Sequence, residues 1–246
     1  MMKSSIYFFG AIFLVTVLTQ YALADHHGKK NNTLTGKEKA DGWQLLFDGK
    51  SLSSWRNYML SQGMAEEVNE KWKIEGDTFT LTGKGGGDII TKEQYGAFEL
   101  KLDFKISPQG NSGIMFHVQE TEAKAWRTGP EIQIQDNDHG KDPQKAGWLY
   151  QLYRSDVDAA KPAGEWNEVH IIITPEKCVH YMNGIKYFEY VKGSDDWNRR
   201  VAASKFSKYP DFGKPTEGHI CLQDHGNVVH FRNVKVRRLD TISEDK

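Results

Sequence analysis

A row of polar side chains at residues 129–136 is the part of the chain best suited to chemistry. The segment reads Gly-Pro-Glu-Ile-Gln-Ile-Gln-Asp and alternates between polar and apolar residues. On a β-strand this alternation turns Glu131, Gln133 and Gln135 to one face and the two isoleucines to the other. A local bulge would turn the next carboxylate, Asp136, onto the same polar face. Such a row suits a concave sheet that grips a hydroxyl-rich ligand, and the alternative is a solvated strand face.

The side chains of this row differ in what they can do. Glu131 leads the row and is the first candidate for a general base or a metal ligand, although a carboxylate can also bind hydroxyl groups without chemistry. Gln133 has no acid–base function, so gripping a hydroxyl is its natural role. Asp136 is either a second carboxylate in the groove or a turn residue together with Asn137 and Asp138.

Two histidines and two tyrosines are further candidates. His117 lies on the polar side of a predicted strand over residues 114–119, where it would serve as a proton donor, a metal ligand or a structural residue. His225 lies in a tight Gln-Asp-His-Gly turn that would present it at a sheet edge, unless the turn only stabilises itself. Tyr150 and Tyr153 follow a Gly-Trp loop, and either could stack on a sugar ring or donate a hydrogen bond to it.

Metal binding is a second use for some of these residues. A divalent ion such as Ca²⁺ is a candidate cofactor, because oxygen and nitrogen donors occur in one region. They are Glu131, Asp136, Asp138, His139 and His117. None of the standard short metal signatures is present. An EF-hand is excluded, because no Gly-x5-Glu follows the Asp-Asn-Asp run.

The composition of the chain limits the choice of partners. Its 246 residues carry 32 Lys and Arg against 33 Asp and Glu, with both signs mixed throughout. This near-neutral balance predicts neither a nucleic-acid partner nor binding to an anionic membrane surface. Seven Trp, ten Tyr and twelve Phe are a generous aromatic supply, which suits a core and also the stacking of carbohydrate rings.

The first 24 residues have the pattern of a secretory signal peptide. Lys3 is followed by an apolar run over residues 6–18, and small residues end at Ala24, where we expect cleavage. The run is short for a membrane span, so the mature protein is expected to be periplasmic or secreted, without a membrane anchor. The polar residues 25–40 are predicted to form a flexible linker, with order beginning near Asp41.

The remainder reads as strands and turns. Residues 98–106 alternate cleanly and predict a strand with one face on a core. Residues 218–224 and 228–236 predict a hairpin around His-Gly-Asn. The four glycines within 83–87 predict a flexible loop, because no Gly-Lys-Ser/Thr follows them. Residues 193–215 are mixed in polarity and predict a short helix or an irregular loop.

Ten to fourteen short strands with little helix predict an all-β fold, an antiparallel β-sandwich. No second compositional regime occurs, so residues 41–240 are expected to form one domain. Cys178 and Cys221 are the only cysteines. They could pair in an oxidising compartment or remain buried and free within their strands.

Eight short segments in a fixed order carry a resemblance to one protein family. They are GWQLLFDGKSLSSW (42–55), YGAFELKLDF (95–104), GNSGI (110–114), GPEIQIQD (129–136), GEWN (164–167), NG (183–184), GHICLQDHG (218–226) and FRNV (231–234). Together they resemble the 3-keto-disaccharide hydrolase family over about residues 41–239. The resemblance implies a concanavalin A-like jelly roll, in which two curved antiparallel sheets hold a ligand groove on their concave side.

The resemblance also implies a substrate class. The family's substrates are glycosides whose glucose ring has first been oxidised at C3 by a separate sugar 3-dehydrogenase, which would be a functional partner. The family pattern also places an aspartate at position 136, which favours the groove for Asp136.

A 3-keto group makes the proton on C2 acidic, so a base can remove it and the enolate can expel the aglycone from C1. Such a site needs a base, an electrophile at the C3 oxygen and a proton donor for the leaving group. Arg232 could place its guanidinium at the enolate oxygen, and its alternative is a salt bridge to a neighbouring strand. The predicted catalytic residues are therefore Glu131, His117, His225 and Arg232, and the predicted substrate-binding residues are Gln133, Asp136, Tyr150 and Tyr153.

Two other functions stay open at this point. A conventional glycoside hydrolase needs two carboxylates across the bond. The row at Glu131, Gln133 and Gln135 holds only one, unless Asp136 supplies the second. A non-catalytic carbohydrate-binding module is the other alternative, since aromatic and amide side chains suffice for binding.

Overall fold

The computed structural model describes residues 30–58 and 66–239. The predicted signal peptide at residues 1–24 and the first five residues of the predicted linker lie outside this part. Within the described ranges, no helix is both long enough and apolar enough to cross a membrane.

Two antiparallel sheets form the body of the described chain. The larger sheet has eight strands in the order β11-β10-β9-β6-β13-β4-β3, with β1 also paired to β13. Its strands are β1 (Gln44–Leu45), β3 (Trp72–Glu75), β4 (Thr78–Leu81), β6 (Phe98–Ile106), β9 (Asn167–Ile173), β10 (Cys178–Met182), β11 (Ile185–Tyr190) and β13 (Val229–Arg238). The smaller sheet has five strands in the order β2-β5-β12-β7-β8. They are β2 (Trp55–Asn57), β5 (Ile89–Thr91), β7 (Asn111–Val118), β8 (Glu131–Gln135) and β12 (His219–Leu222).

The core lies between the two sheets and follows from the alternation of each strand. In β6 the residues Phe98, Leu100 and Leu102 are fully buried, whereas the polar residues between them lie on the outer face. From the smaller sheet, Ile132 and Ile134 of β8 join the same apolar cluster. This packing confirms the predicted all-β sandwich and the inward direction of both isoleucines.

One predicted hairpin does not form. Strand β12 lies in the smaller sheet between β5 and β7, while β13 lies in the larger sheet between β6 and β4. The turn at residues 223–228 therefore carries the chain from one sheet to the other. The prediction of a hairpin from 218–224 and 228–236 is wrong, because local turn signals cannot tell a hairpin from a connection between packed sheets.

Order begins earlier than the sequence predicts. Helix α1 (Gly36–Ala40) starts at a capping box, in which Thr35 and Glu38 satisfy each other's backbone N–H groups. Asn32 is buried, and its backbone N–H donates to Asn233 Oδ1 at 2.7 Å while its own Oδ1 accepts from the Asn233 N–H at 2.8 Å. A flexible linker over 25–40 is therefore wrong for residues 30–40, because Asn32 pairs with Asn233 of β13 and residues 36–40 form a capped helix.

The segment 193–215 contains helix α2 (Asp195–Ala202), capped by Ser194, and a single 3₁₀ turn at Lys205–Lys208. This confirms the prediction of a short helix there. Cys178 and Cys221 are both buried and unpaired, and they lie in different sheets. Each behaves as a small apolar residue within its strand.

Replacing Asn32 with Ala should destabilise the fold. The substitution removes the acceptor for the Asn233 N–H and the donor to the Asp77 carbonyl, which lies 2.7 Å from Asn32 Nδ2. Unmade buried hydrogen bonds cost about 1–3 kcal/mol each, so the free energy of unfolding should fall by about that amount. Denaturant unfolding would measure it, with the exposed Lys39→Ala as the control. Equal values for the two variants would show that the N-terminal segment adds no stability.

Candidate active site

The site lies on the face of the smaller sheet that points away from the core. Four neighbouring strands place one residue each in a row across this face: Ile90, Cys221, Met115 and Glu131. The first three belong to a small apolar cluster that is separate from the main core. Glu131 is the last residue of this row and lies on the edge strand β8. Its side chain is on the face of β8 opposite to the buried Ile132 and Ile134, as the sequence predicts.

The adjacent row on the same face is polar. It comprises Asp88, Gln223, Gly113 and Gln133. Asp88 directly precedes β5 and shares the parity of Ile90, and the Gln223 N–H donates to the Gly113 carbonyl at 3.0 Å. Two carboxyl groups and two carboxamides thus come together at three strands, β5, β12 and β8, across the small residue Gly113 of β7.

Gly113 leaves the space that the Glu131 side chain fills. A Cβ atom at position 113 would lie 2.3 Å from Glu131 Oε1 and 2.9 Å from its Cδ. No side chain larger than hydrogen fits there, so the glutamate lies flat across the neighbouring strand. The Gly-Asn-Ser-Gly segment therefore shapes the site without supplying a functional group.

Glu131 is buried, with 5% of its surface exposed. Burial raises the pKa of its carboxyl to about 8. The positive charge of Lys205 and a hydrogen bond from Gln223 oppose this rise, while the negative charges of Asp88 and Asp142 add to it. The carboxyl is therefore mostly protonated at neutral pH and can act as an acid.

Asp88 is a candidate site residue that the sequence analysis missed. Burial raises its pKa to about 6, and a hydrogen bond from the Asp224 N–H to Asp88 Oδ1, at 2.9 Å, works in the opposite direction. The positive charge of Lys124 also favours the ionised form. The sequence feature that could have pointed to Asp88 is its position directly after the glycine cluster at residues 83–87.

The glycine loop is fixed by one carboxylate. Asp224 Oδ2 accepts hydrogen bonds from the N–H groups of Gly85 and Gly87 at 3.0 and 2.8 Å. Its Oδ1 accepts from the Gly226 N–H at 2.8 Å, which holds the turn that carries His225. The prediction of a flexible loop at residues 83–87 is therefore wrong, because hydrogen bonds to Asp224 hold this loop against the connection after β12.

Asp88 lies in a surface cavity of about 560 Å³. The loops around it contribute Tyr58, Lys84, Gly85, Gly87, Ala123, Lys124, Asp224, His225 and Gly226. His225 is exposed at this rim, so the structure brings it to Asp88 as a group that can contact a ligand. Its predicted part in catalysis stays a prediction.

A caged lysine lies on the other side of Glu131. Lys205 Nζ is 3.9 Å from the centre of the Tyr150 ring and 5.1 Å from that of Trp126. The Tyr150 hydroxyl donates to Asp142 Oδ2 at 2.8 Å. Tyr150 is thus near Glu131, as a substrate-binding residue should be, whereas Lys205 had no sequence signal because it lies in an irregular segment.

Three glutamine side chains leave a carbonyl oxygen without a hydrogen-bond donor among the described residues. They are Gln133, Gln135 and Gln223, and each oxygen is buried. Buried polar atoms are nearly always paired in folded proteins, so unpaired ones on a single face call for an explanation.

His117 does not join this face. Strand β7 has an extra residue opposite β12, and His117 adopts φ of 53° at this bulge. Its ring packs edge-on against Phe98 of the larger sheet, and its Nε2 lies 2.8 Å from the Gly96 carbonyl oxygen. The predicted position of His117 on the polar side of the strand is wrong, because the bulge reverses the side-chain alternation.

Arg232 lies on the opposite side of the molecule from the site. Its Nε donates to Asp103 Oδ2 at 3.1 Å, across the pairing of β13 with β6. Its guanidinium stacks on Trp166 at 4.0 Å from the ring centre. The prediction that Arg232 meets an enolate is therefore wrong, since the side chain lies on the outer face of the larger sheet.

Asp136 is a turn residue. Its Oδ2 accepts from the Gln109 N–H at 2.9 Å, and its Oδ1 accepts from the N–H groups of Asp138 and His139. Burial raises the pKa of Asp136, but these donors outweigh it and hold the pKa below its usual value. The prediction of a groove carboxylate is wrong, because both oxygens serve the backbone.

Tyr153 is also placed away from Glu131. Its ring stacks on Tyr190 with centres 4.6 Å apart, and its hydroxyl donates to Asp196 Oδ2 at 2.8 Å. It supports the packing of helix α2 against the larger sheet, so the predicted role in substrate binding is not supported by its position.

The donor set proposed for a metal is not assembled. Within residues 30–58 and 66–239, no group of three or more His, Cys, Asp or Glu side chains has a spacing that could hold a metal ion. Of the five candidates, His117 and Asp136 are committed to other partners, as described above. The five candidates therefore do not form one cluster, and the divalent cofactor stays a prediction.

Glu131→Gln should remove a pH dependence of stability. Burial raises the folded-state pKa of Glu131 from 4.5 to about 8, so the folded protein holds this proton more tightly than the unfolded chain. The stabilisation is complete below pH 4.5 and is lost as the pH rises to about 8. Each pKa unit corresponds to about 1.4 kcal/mol, so the wild type should lose a few kcal/mol that the variant keeps.

Denaturant unfolding of both proteins at several pH values across this window would measure the difference. Asp156→Asn is a matched control, because Asp156 is exposed. Parallel stability curves for the wild type and Glu131→Gln would contradict the burial of a neutral carboxyl group.

Comparisons with known proteins agree with this fold. The family model of the 3-keto-alpha-glucoside-1,2-lyase-like domain matches residues 42–237. A 3-keto-disaccharide hydrolase of Bacteroides thetaiotaomicron is 34% identical over 236 residues, which cover 82% of this chain and 80% of the relative.

Two crystal structures from Parabacteroides distasonis, each of a candidate glycosyl hydrolase, share the concanavalin A-like sandwich. One is 37% identical with a TM-score of 0.79, covering 86% of this chain and all of its own. The other is 29% identical with a TM-score of 0.61, covering 80% of this chain and 99% of its own. The chain therefore belongs to the 3-keto-alpha-glucoside-1,2-lyase-like family and is an enzyme of the glycoside hydrolase type.

Proposed function

We propose that the enzyme cleaves the glycosidic bond of 3-keto-glycosides, with 3-keto-disaccharides as the substrate class. The observation that carries the proposal is the pair of carboxyl groups on one sheet face, Asp88 and Glu131, whose pKa values burial raises to about 6 and about 8. Between these values one carboxyl group is ionised and the other protonated. Such a pair supplies a base and an acid in the same site at neutral pH.

The two groups divide the chemistry that a 3-keto sugar requires. Asp88 removes the acidic proton from C2, which gives the enolate. Glu131 donates its proton to the glycosidic oxygen as the bond at C1 breaks, and water then adds to the double bond. The sequence favoured Glu131 as the base, and its raised pKa is the reason for assigning it the acid role here.

The remaining polar groups suit a sugar. The carboxamides of Gln133 and Gln223 lie on the same sheet face as the two carboxyl groups, and Lys124 and His225 lie at the rim of the Asp88 cavity. Tyr150 and Trp126 offer aromatic surface beside Glu131. The cavity volume of about 560 Å³ is adequate for a ligand the size of a disaccharide.

The substrate class requires a supplier. A sugar 3-dehydrogenase that oxidises the C3 hydroxyl must act first, and we propose it as the functional partner. The signal-peptide pattern supports export to the periplasm or the exterior as the place of action. A divalent ion such as Ca²⁺ stays a prediction, which treatment with EDTA and restoration with Ca²⁺ would test.

A conventional glycoside hydrolase is the second candidate. The sequence row lacks a second carboxylate, but Asp88 provides one on the same face as Glu131, and two carboxyl groups are what that mechanism needs. Substrate preference separates the two candidates, because a conventional mechanism does not depend on a ketone at C3.

The purified protein should cleave a 3-keto-disaccharide and leave the parent disaccharide almost unchanged. The ketone is what makes the C2 proton removable by a carboxylate, so the parent sugar offers no comparable route. Release of both halves, followed by chromatography, measures the two rates. Comparable rates would favour a conventional glycosidase, and binding of the sugars without turnover would favour a binding module.

Substitution of the two carboxyl groups should separate the two proton transfers. In heavy water the wild type should place deuterium at C2 of the recovered keto sugar. Asp88→Asn should lose both exchange and cleavage, by about 10²–10⁴-fold, which is the usual contribution of a general base. Glu131→Gln should keep the exchange and lose cleavage, because only the leaving group needs its proton. Asp156→Asn serves as the exposed control.

The pH profile of kcat/KM checks the same assignment. The profile should rise through about pH 6 as Asp88 ionises and fall above about pH 8 as Glu131 loses its proton. Because the two groups interact, these values belong to the pair. Cleavage in Asp88→Asn within tenfold of the wild type, or cleavage without deuterium at C2, would contradict the elimination route.

A further inference from the structure

The ammonium group of Lys205 acts on Glu131 from the loop layer that lies on this sheet face. Lys205 begins the 3₁₀ turn Lys205–Lys208, and it is the cation whose charge lowers the pKa of Glu131. Asp142 also interacts with Lys205, and Asp142 in turn accepts the hydrogen bond from Tyr150. Lys205 therefore interacts both with Asp142 in the loops that cover the sheet face and with the Glu131 carboxyl group.

The position of Lys205 is fixed from two directions. Its backbone N–H donates to Gln151 Oε1 at 2.9 Å. Its Nζ lies over Tyr150, and the ring centres of Trp126 and Phe206 are each 5.1 Å away. Rings hold a cation by their negative faces while removing water from it, so the charge is oriented and only partly solvated.

Lys205 is more buried and has more ring contacts than a lysine in an ordinary surface ion pair. Burial lowers the pKa of Lys205, and the charges of Glu131 and Asp142 oppose that shift. The ammonium therefore lies near Asp142 and near the Glu131 carboxyl, which burial keeps mostly protonated at neutral pH. A positive charge held in this way stabilises negative charge that develops during a reaction, because nothing has to reorganise.

We propose that Lys205 binds the C3 carbonyl oxygen of the oxidised sugar, stabilises the enolate that forms on it and thereby selects keto sugars over their parents. The inference rests on the function proposed above and names the group that reads the ketone. It assigns to Lys205 the electrophilic role for which the sequence had suggested Arg232.

The electron and proton movements balance around this group. Asp88 takes the C2 proton, the C–H electron pair forms the C2–C3 double bond, and the carbonyl pair moves onto the C3 oxygen beside Lys205. The enolate then restores the carbonyl, a C1–C2 double bond forms, and the C1–O bond breaks as Glu131 protonates the aglycone. Water adds to C1 and a proton returns to C2, so the sum is hydrolysis and Lys205 stays charged throughout.

Three variants test the proposal. Lys205→Met keeps the length of the side chain without its charge, and Lys205→Arg keeps the charge. Lys208→Met is the matched control, because Lys208 lies in the same 3₁₀ turn and its Nζ lies beside the Tyr209 ring, 5.6 Å from the ring centre. Thermal unfolding of each variant shows that the fold is retained.

Two readouts are compared for each variant. Loss of one oxyanion-stabilising group costs about 10²–10³-fold in kcat, so Lys205→Met should lose that much on a 3-keto-disaccharide and Lys205→Arg should recover part of it. Inhibition of the reaction by the parent disaccharide should be unchanged in all variants, since the parent carries no developing charge. Lys208→Met should match the wild type in both readouts.

The outcomes separate this inference from the proposed function. If the wild type cleaves the keto sugar and Lys205→Met has a kcat within threefold of it, the role of Lys205 is refuted and the function stands. An equal loss of kcat and of affinity for the parent sugar would also refute it, because the lysine would then serve general binding. If the wild type itself does not cleave keto sugars, both proposals fail.

Discussion

The close approach of Glu131 to Gly113 is the constraint on which the site depends. Strands in a sheet are about 4.8 Å apart, so a side chain can lie across its neighbour only where that neighbour has no Cβ. With hydrogen at position 113, the carboxyl group is laid along the sheet and buried, and burial is what raises its pKa to about 8. A single glycine thus determines both the position and the protonation state of the acid.

A second constraint is the set of hydrogen bonds through which Asp224 holds the glycine loop, its own turn and Asp88 together. The Asp224 carboxylate accepts hydrogen bonds from three backbone N–H groups, two in the glycine loop and one in its own turn. Its own N–H goes to Asp88, so the loop, the sheet connection and the second carboxyl group are held as one unit. Because β12 and β13 belong to different sheets, the turn that carries Asp224 and His225 stands at the mouth of the cavity instead of closing a hairpin.

Much of the fold could be predicted from local pattern. The alternation in residues 98–106 fixed the strand Phe98–Ile106 and its buried face, since period two is a property of the strand itself. The same rule separated Ile132 from Glu131 correctly. It failed at His117, where one extra residue in the strand reversed the parity, and at Asp136, where backbone donors rather than a ligand took both oxygens.

What the sequence by itself determined is therefore the sandwich, its core-facing residues and one carboxyl group of the site. The tertiary structure alone decided which partners that group meets. Asp88 and Lys205 come from a loop end and an irregular turn, segments without a period, and their charges act on Glu131 because of strand order and packing. This arrangement joins residues far apart in the chain, and no local propensity encodes it because its energy arises only when the sheets and loops have assembled.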